Sequence, residues 1–209
     1  MKTKKLKLIK RALATVLTLT MALGIVPMTA FAEETSQAAQ EAAAMRELES
    51  RVFTIADEEF TIEDLEQADF IMVTTENGEN VTLSSDEIRD YLIVNPRVDI
   101  EIIGNISLSR TTPSTAQLIL NIKANGIISK ISGYTYCRNY NTSESYFQNS
   151  GTLYRGSSAS PRTEVTLYFA NFSLPQFTPV RIGYYGINVE CTAGSGGKLA
   201  SYESGYILS

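Results

Sequence analysis

The sequence predicts a mainly β fold: an antiparallel β-sandwich of about seven strands, preceded by a helix and a small α+β segment. Three observations lead to this prediction. From Val98 onward apolar and polar residues alternate, Gly-, Ser- and Pro-rich breaks separate the alternating runs, and the only two cysteines, Cys137 and Cys191, fall within two of these runs. A sheet with one buried face needs every second side chain to be apolar, so this alternation is typical of strands that share a core.

Residues 1–32 are expected to be a secretory signal peptide. A basic region with six Lys and Arg residues precedes an apolar stretch at 12–26 and the cleavage site Ala30-Phe31-Ala32. The apolar stretch is short for a bilayer span and contains Gly24, so an uncleaved anchor is the weaker alternative. We expect no stable membrane insertion after cleavage. The long basic region resembles the signal peptides of Gram-positive bacteria, which would make the mature chain a small secreted protein.

Residues 33–52 are rich in Ala, Glu and Gln, and apolar residues recur there at roughly helical spacing. This pattern predicts one helix, with a solvated linker as the open alternative.

Residues 53–96 predict a small acidic α+β unit. Thr61-x-x-Asp64 and Ser84-x-x-Glu87 are capping-box patterns that begin short helices, and Glu76-Asn77-Gly78-Glu79 is typical of a hairpin turn. A segment of about forty residues is too short to hold a core of its own. We therefore expect this unit to lean on the predicted sandwich, residues 97–209.

Four runs of the sandwich alternate most clearly: 98–108, 116–124, 163–172 and 181–191. The run 127–137 and two weaker runs, 146–154 and 198–208, complete the predicted set. Asn125-Gly126 separates 116–124 from 127–137, and this dipeptide is favoured in two-residue turns between paired strands. The sequence therefore predicts a hairpin at this point.

The two cysteines are expected to form a structural disulfide. Cys137 shares alternation parity with Ile131, and Cys191 shares parity with Val189, so both thiols are predicted to face the core. In an exported chain two such cysteines most simply pair, and the closed loop would stabilise the fold by roughly 4 kcal/mol. The prediction requires neighbouring strands with Cα atoms within about 7 Å.

The order of strands in 97–209 resembles that of immunoglobulin-like and fibronectin type III-like domains, over about half the chain. In antibody-type domains a disulfide joins the second and sixth strands beside a tryptophan. Here Cys137 falls on the third predicted strand and the chain has no tryptophan. Tyr185 lies six residues before Cys191, whereas the tyrosine corner of that fold lies two residues before its cysteine. The resemblance therefore implies a layered architecture and transfers no functional residue.

Charge is distributed unevenly along the chain. Loss of residues 1–32 would leave 12 Lys and Arg against 23 Asp and Glu, and 19 of these acidic residues lie between Glu33 and Glu101. The segment 102–209 has four acidic and eight basic residues. Nucleic acid is not an expected partner, since the acidic half would repel a polyanion. Either the acidic segment is a solvated surface, or it docks on the basic half within one molecule or between two.

The chain contains no histidine, which excludes every mechanism that needs an imidazole base or ligand. With no Cys-x-x-Cys motif and no EF-hand pattern, we expect no metal, no cofactor and no catalytic residue. A carboxylate-only enzyme is the remaining catalytic alternative. It would require a carboxylate pair in one cleft, within roughly 10 Å of each other, drawn from the four acidic residues of the sandwich, Glu144, Glu164, Glu190 and Glu203.

The sandwich is rich in tyrosine set among Ser, Asn, Thr and Gly, a composition favoured in recognition surfaces. Tyr134, Tyr136 and Tyr184 have the parity opposite to that of the cysteines, so they are predicted to point outward and to form a binding patch. The open alternative is that these residues are simply good strand formers on a solvated face.

Two functional hypotheses follow from these features. The first is a secreted, non-catalytic binding or structural module that recognises a cell-surface protein or glycan. The second is a secreted antibacterial or toxin-like factor in which the acidic segment 33–96 is a removable pro-region. An exported form that begins near Glu33 favours the first hypothesis, and one that begins near Arg97 favours the second. The sequence does not predict an oligomeric state.

Overall fold

The computed structural model describes residues 28–192, 196–199 and 201–207 of the chain. Residues 1–27 of the predicted signal peptide lie outside the described residues. Two compact units are distinguished, residues 1–43 and 44–209. Helix α1, Met28–Ser50, runs through the boundary between them, so 33–52 is a helix in all but its last two residues. None of the described helices is long and apolar enough to cross a membrane.

The second unit is mainly β, as predicted. After α1 it contains two short helices, α2 (Ile62–Leu65) and α3 (Ser85–Val94). Its strands are β1 (Phe53–Ile55), β2 (Glu58–Phe60), β3 (Phe70–Thr74), β4 (Asn80–Leu83), β5 (Asp99–Thr112), β6 (Thr115–Ala124), β7 (Ile127–Asn139), β8 (Ser145–Arg155), β9 (Glu164–Tyr168), β10 (Phe172–Ser173), β11 (Pro179–Thr192), β12 (Gly197–Lys198) and β13 (Tyr202–Ile207).

Apart from the small β1–β2 hairpin, the strands form two antiparallel sheets. The first sheet has six strands in the order β4, β3, β5, β6, with β9 and β10 both on the far edge of β6. The second has five strands in the order β8, β7, β11, with β13 and β12 both on the far edge of β11. More strands are present than the seven or so predicted, partly because β3 and β4 come from the acidic segment 53–96.

The main core lies between the two sheets. It holds the inward side chains of β5 and β6, such as Ile106 and Leu120, together with those of β7 and β11, such as Ile131 and Val189. A second core covers the other side of the first sheet, where α2, α3 and the β1–β2 hairpin pack on β3 and β5. Strand β3 is therefore buried on both faces, which explains why Phe70, Ile71, Met72 and Val73 form an unbroken apolar run.

The local signals in the acidic segment are confirmed. Thr61 and Asp64 form a capping box at the start of α2, and Ser84 and Glu87 form one at the start of α3. Strands β3 and β4 form the predicted hairpin, and Gly78 in their turn has a φ of 75°, which glycine adopts without strain.

The predicted hairpin at Asn125-Gly126 is wrong. Strand β6 belongs to the first sheet and β7 to the second, so the dipeptide carries the chain from one sheet to the other. The Asn125 side chain stabilises this corner: its amide donates to the carbonyl of Ile100 at 2.7 Å, and its oxygen accepts from the backbone N–H of Ala56 at 2.9 Å. Residues 125 and 126 form a bend in which neither residue has a positive φ, so the two-residue hairpin turn that this dipeptide favours does not form.

The predicted disulfide is also wrong, since Cys137 and Cys191 are free thiols. The cysteines do lie on neighbouring strands, but at opposite ends. Cys137 is opposite Ile182, whereas Cys191 is opposite Ile128, nine residues away along β7. At about 3.3 Å per residue the two thiols are roughly 30 Å apart, far beyond the reach of a disulfide.

Candidate functional site

The outer face of the second sheet is the surface on which the predicted binding residues meet. Outward positions of β7, β11 and β13 are aligned by register, with Tyr136 beside Gly183 and Gly183 beside Glu203. Neither core cluster includes these outward side chains, but their exposure differs: Tyr140 is 47% exposed and Tyr185 51%, whereas Tyr136 is only 9% exposed. We call it the tyrosine–arginine face, and define it by Tyr134, Tyr136, Arg138, Tyr140, Arg181, Tyr185 and Glu203.

Tyr184 is not part of this face, which corrects the prediction that it points outward. It is 1% exposed and packs in the main core, edge-on against Phe70 at 5.1 Å between ring centroids. Its hydroxyl has no hydrogen-bond partner among the described residues. Tyr185 takes the predicted place of Tyr184 and is 51% exposed.

A β-bulge explains the exchange of these two tyrosines. Gly186 and Ile187 of β11 together lie opposite the single residue Gly133 of β7, so the alternation on β11 slips by one residue. Before the bulge Ile182 and Tyr184 face inward, and after it Ile187 and Val189 do so. Gly186 has a φ of 62°, a conformation that favours glycine. A period-two reading cannot anticipate such a slip, although a glycine inside a strand pattern is a signal for it.

Tyr134 and Tyr136 lie on the outward side of β7, and Tyr134 contacts both Tyr136 and Tyr185. The Tyr134 and Tyr185 rings are stacked at 4.3 Å between centroids, and the Tyr136 ring lies 5.9 Å from that of Tyr134. The Tyr134 hydroxyl donates to Gln148 at 2.9 Å. The three rings thus form a continuous aromatic strip across β7 and β11.

Two glycines lie close to the tyrosine rings, and Gly183 makes room for that of Tyr136. A Cβ on Gly183 would lie 2.8 Å from the Tyr136 hydroxyl oxygen, and a Cβ on Gly205 would lie 3.4 Å from a ring carbon of Tyr140. Tyr136 therefore lies directly over the backbone of β11 at Gly183, where a side chain would displace it. This close packing holds the ring in place within the face.

Glu203 organises the charged part of the face. Its carboxylate accepts from the Tyr136 hydroxyl at 2.6 Å, from Arg181 at 3.0 Å and from Arg138. Burial acts to raise the pKa of Glu203, but these three hydrogen bonds outweigh it and hold the pKa below its usual value. Burial, followed by the bond to Glu203, raises the pKa of the Tyr136 hydroxyl well above its usual value. The carboxylate is therefore ionised and the phenol neutral throughout the physiological pH range.

Both arginines also lie over tyrosine rings. The guanidinium carbon of Arg138 is 4.8 Å from the Tyr136 centroid, and that of Arg181 is 4.4 Å from the Tyr140 centroid. Such stacking fixes the planar guanidinium groups while leaving donors free for a partner. Sequence reasoning missed Arg138 and Arg181 as binding residues because outward strand positions with charged side chains are common.

The four carboxylates suggested for a carboxylate-only enzyme are spread over both sheets. Glu164 lies on β9 in the first sheet, beside Asn121 and Lys123. Glu190 pairs with Lys130 near the far end of β11, and Glu203 pairs with the two arginines. Glu144 lies in the turn between β7 and β8.

The thiols are poorly suited to nucleophilic chemistry. Burial raises the pKa of Cys137 to about 12, and burial together with the nearby Glu101 raises the pKa of Cys191 to about 11. A reactive cysteine needs a lowered pKa, because the thiolate is the nucleophile. No group of three or more Cys, Asp or Glu side chains in the described residues is arranged to hold a metal ion.

These features define the class of protein: a mainly β protein of packed antiparallel sheets, with aromatic and arginine side chains on the outer side of the second sheet. Comparison with known proteins does not narrow the class further. A scan against protein-family models finds no match to the chain, and a search of curated proteins finds none.

Proposed function

We propose that this is a secreted, non-catalytic binding module that contacts a protein partner at a cell surface through the tyrosine–arginine face. The observation that carries the proposal is the outward cluster of tyrosines and two arginines on a sheet that neither core covers. Tyr and Arg are the residues most often found at the energetic centre of protein interfaces, where they bury large areas and donate several hydrogen bonds.

The shape of the face favours a protein over a small molecule. Small-ligand sites are concave pockets, whereas the outward residues of β7, β11 and β13 lie side by side on one sheet. The rings and guanidinium groups are already held by their mutual contacts. Ordering them on binding therefore costs little conformational entropy.

The order of strands supports an immunoglobulin-like architecture as part of the proposal. In that fold strand B lies between A and E, and strand F lies between C and G. Here β6 lies between β5 and β9, and β11 lies between β7 and β13, with β8 in the position of an added C′ strand. On this view β3 and β4 extend the first sheet beyond strand A.

The pairing of β3 weighs against the alternative of a removable acidic pro-region. Strand β3 pairs with β5, and its side chains contribute to both cores. Removal of residues 33–96 would delete most of the second core and expose the edge of β5. We therefore propose that the mature protein keeps its acidic segment.

A pull-down with matched variants tests the proposal. Chain 33–209 is immobilised as wild type, as Tyr134→Ser/Tyr185→Ser and as Tyr168→Ser, a control tyrosine that is 67% exposed on the first sheet. Each is incubated with bacterial envelope extract and with host-surface extract, and retained proteins are quantified by mass spectrometry. We expect wild type and the control to retain the same partner and the double variant to lose it.

Treatment of the extract distinguishes the class of partner. Protease digestion should abolish retention, whereas periodate oxidation of sugars should leave it intact. Retention that survives protease and is lost after periodate would show a glycan ligand and overturn the proposal of a protein partner. Equal retention by the double variant and the wild type would show that the tyrosine–arginine face does not bind the partner.

A further inference from the structure

An apolar cavity opens at the end of the tyrosine–arginine face. It has a volume of about 280 Å³ and is lined by Tyr140, Pro179, Gly205, Tyr206 and Ile207. Pro179 and Ile207 are register neighbours on β11 and β13, and the Tyr140 N–H donates to the Pro179 carbonyl at 3.0 Å. Tyr140 is 47% exposed and Ile207 is 68% exposed, so much of the apolar lining is in contact with water.

Gly205 lines this cavity from β13. A Cβ at this position would make ordinary contact with the Tyr140 ring and with nothing closer, so the backbone does not itself require glycine here. A larger side chain would occupy the volume that Gly205 leaves open. The cavity therefore depends on the small size of one residue on a strand at the edge of the sheet.

The rim of the cavity is positively charged. Arg181 is the register neighbour of Gly205 and lies over the ring of Tyr140, so it adjoins two of the lining residues. Arg138 and Arg181 share the single carboxylate of Glu203, the only ion-pair partner that either has among the described residues. Two guanidinium groups against one carboxylate leave a positive charge unbalanced beside an apolar cavity.

We infer that the cavity binds an apolar side chain of the protein partner and that Arg181 binds a carboxylate next to that side chain. The inference rests on the proposed function and adds its recognition element: a peptide segment in which an aliphatic or aromatic residue adjoins an acidic group. Apolar contact supplies the anchor, and the planar guanidinium supplies a paired hydrogen bond to the carboxylate. Charge complementarity selects this occupant over a neutral apolar segment.

The test is an NMR titration of chain 33–209 with two small probes that differ only in charge. N-acetyl-L-leucine has an apolar side chain beside a carboxylate, and N-acetyl-L-leucinamide lacks the charge. We expect saturable shifts of the backbone amides at Tyr140, Gly205 and Ile207 with the acid, and affinity about fivefold or more weaker for the amide, since a hydrogen bond to a charged group is lost. Arg181→Gln should abolish this preference while leaving the apolar contact.

Gly205→Val supplies the second variant, since it fills the cavity and leaves both arginines in place. We expect it to lose binding of both probes while its amide spectrum elsewhere stays that of the folded protein. Equal affinity for acid and amide, or binding that persists in Gly205→Val, would overturn the inference. So would co-sedimentation with anionic vesicles that Gly205→Val abolishes, because the cavity would then be a membrane contact. If the acid probe did not bind at the cavity but the pull-down succeeded, the role of this cavity would be rejected and the proposed function would stand.

Discussion

At the scale of single residues, Tyr184 and Tyr185 show how one glycine decides which side chain is structural and which is available for binding. The bulge at Gly186 turns Tyr184 into the core beside Phe70 and turns Tyr185 outward against Tyr134. The two residues have the same chemistry and adjacent positions. Only the local backbone conformation distinguishes their roles.

Substitutions of Tyr184 should separate its ring from its hydroxyl. The hydroxyl is buried and has no partner among the described residues, so Tyr184→Phe is expected to keep or raise the free energy of unfolding, within about 1 kcal/mol. Tyr184→Ala removes a buried ring and should lower the free energy of unfolding by about 3–5 kcal/mol. Urea denaturation measures both, with Tyr168→Ala as an exposed control. A loss above about 2 kcal/mol in Tyr184→Phe would mean that the hydroxyl has a partner.

The acid sensitivity of the face should depend on Glu203. Its pKa is lower in the folded than in the unfolded chain, so the ionised carboxylate stabilises the fold above the ordinary carboxyl pKa. This stability is lost as pH falls through the folded pKa. Glu203→Gln should therefore lower the free energy of unfolding at neutral pH by about 1 kcal/mol and flatten its decline in acid.

The matched control for this experiment is Glu144→Gln. Glu144 forms no ion pair among the described residues and lies in the turn between β7 and β8. The denaturation curves of Glu144→Gln, measured from neutral to acidic pH, should follow those of the wild type. If Glu203→Gln showed the same pH dependence as this control, the carboxylate would not hold the two arginines in solution.

At the scale of helices and strands, local chemistry predicted some elements and tertiary contacts decided others. The capping boxes at Thr61 and Ser84 and the turn at Gly78 depend on residues three or four apart, so the sequence alone was sufficient. The corner at Asn125 was misread because its partners, Ala56 and Ile100, come from distant parts of the chain. The alternation of apolar and polar residues identified which side chains of a strand face inward. It did not predict the register, that is, which residue of the neighbouring strand each one lies opposite.

The cysteines illustrate the last point. The alternation of β7 correctly predicted that Cys137 is buried in the core. The register of β7 and β11, however, places Cys137 near one end of this strand pair and Cys191 near the other. We expect intact mass spectrometry of unreduced chain 33–209 to give the mass of the dithiol. Iodoacetamide should label Cys137 only after unfolding, because it is buried and its pKa is about 12. A monomer two hydrogens lighter than the dithiol would contradict the strand register.

The tyrosine–arginine face was only partly predictable. Tyr134 and Tyr136 were identified from parity, but Arg138, Arg181 and Glu203 come together through pairing of β7, β11 and β13 across some 65 residues of sequence. Nothing local marks Glu203 as the shared acceptor of three donors. The one sequence feature that could have indicated Glu203 is the scarcity of acidic residues between 102 and 209, where it is one of four.

At the scale of the whole molecule, the acidic segment is built into the fold. Strand β3 has its two faces in the two cores, and Gly104 of β5 closely approaches the Phe70 ring. The strong asymmetry of charge along the chain therefore does not correspond to two separable bodies within residues 44–209, which form one compact unit.

Truncation tests this integration. Chain 97–209 lacks β3 and β4 and would leave Ile100 and Ile103 without their partners on β3. We expect it to be insoluble or to lack cooperative thermal unfolding by circular dichroism, whereas chain 44–209 should unfold cooperatively. Cooperative unfolding of chain 97–209 at a temperature close to that of chain 44–209 would show that the acidic segment is dispensable, and would revive the pro-region hypothesis.

The central claim is that the outer face of the second sheet is where the partner binds, and site-specific photocrosslinking tests it most directly. The photoreactive residue p-benzoylphenylalanine replaces Tyr185 in one protein and Tyr168 in another, both exposed positions on different sheets. After irradiation with the surface extract, we predict a covalent adduct with a single partner from position 185 and none from position 168. An adduct from position 168 alone, or the same adducts from both positions, would contradict the account.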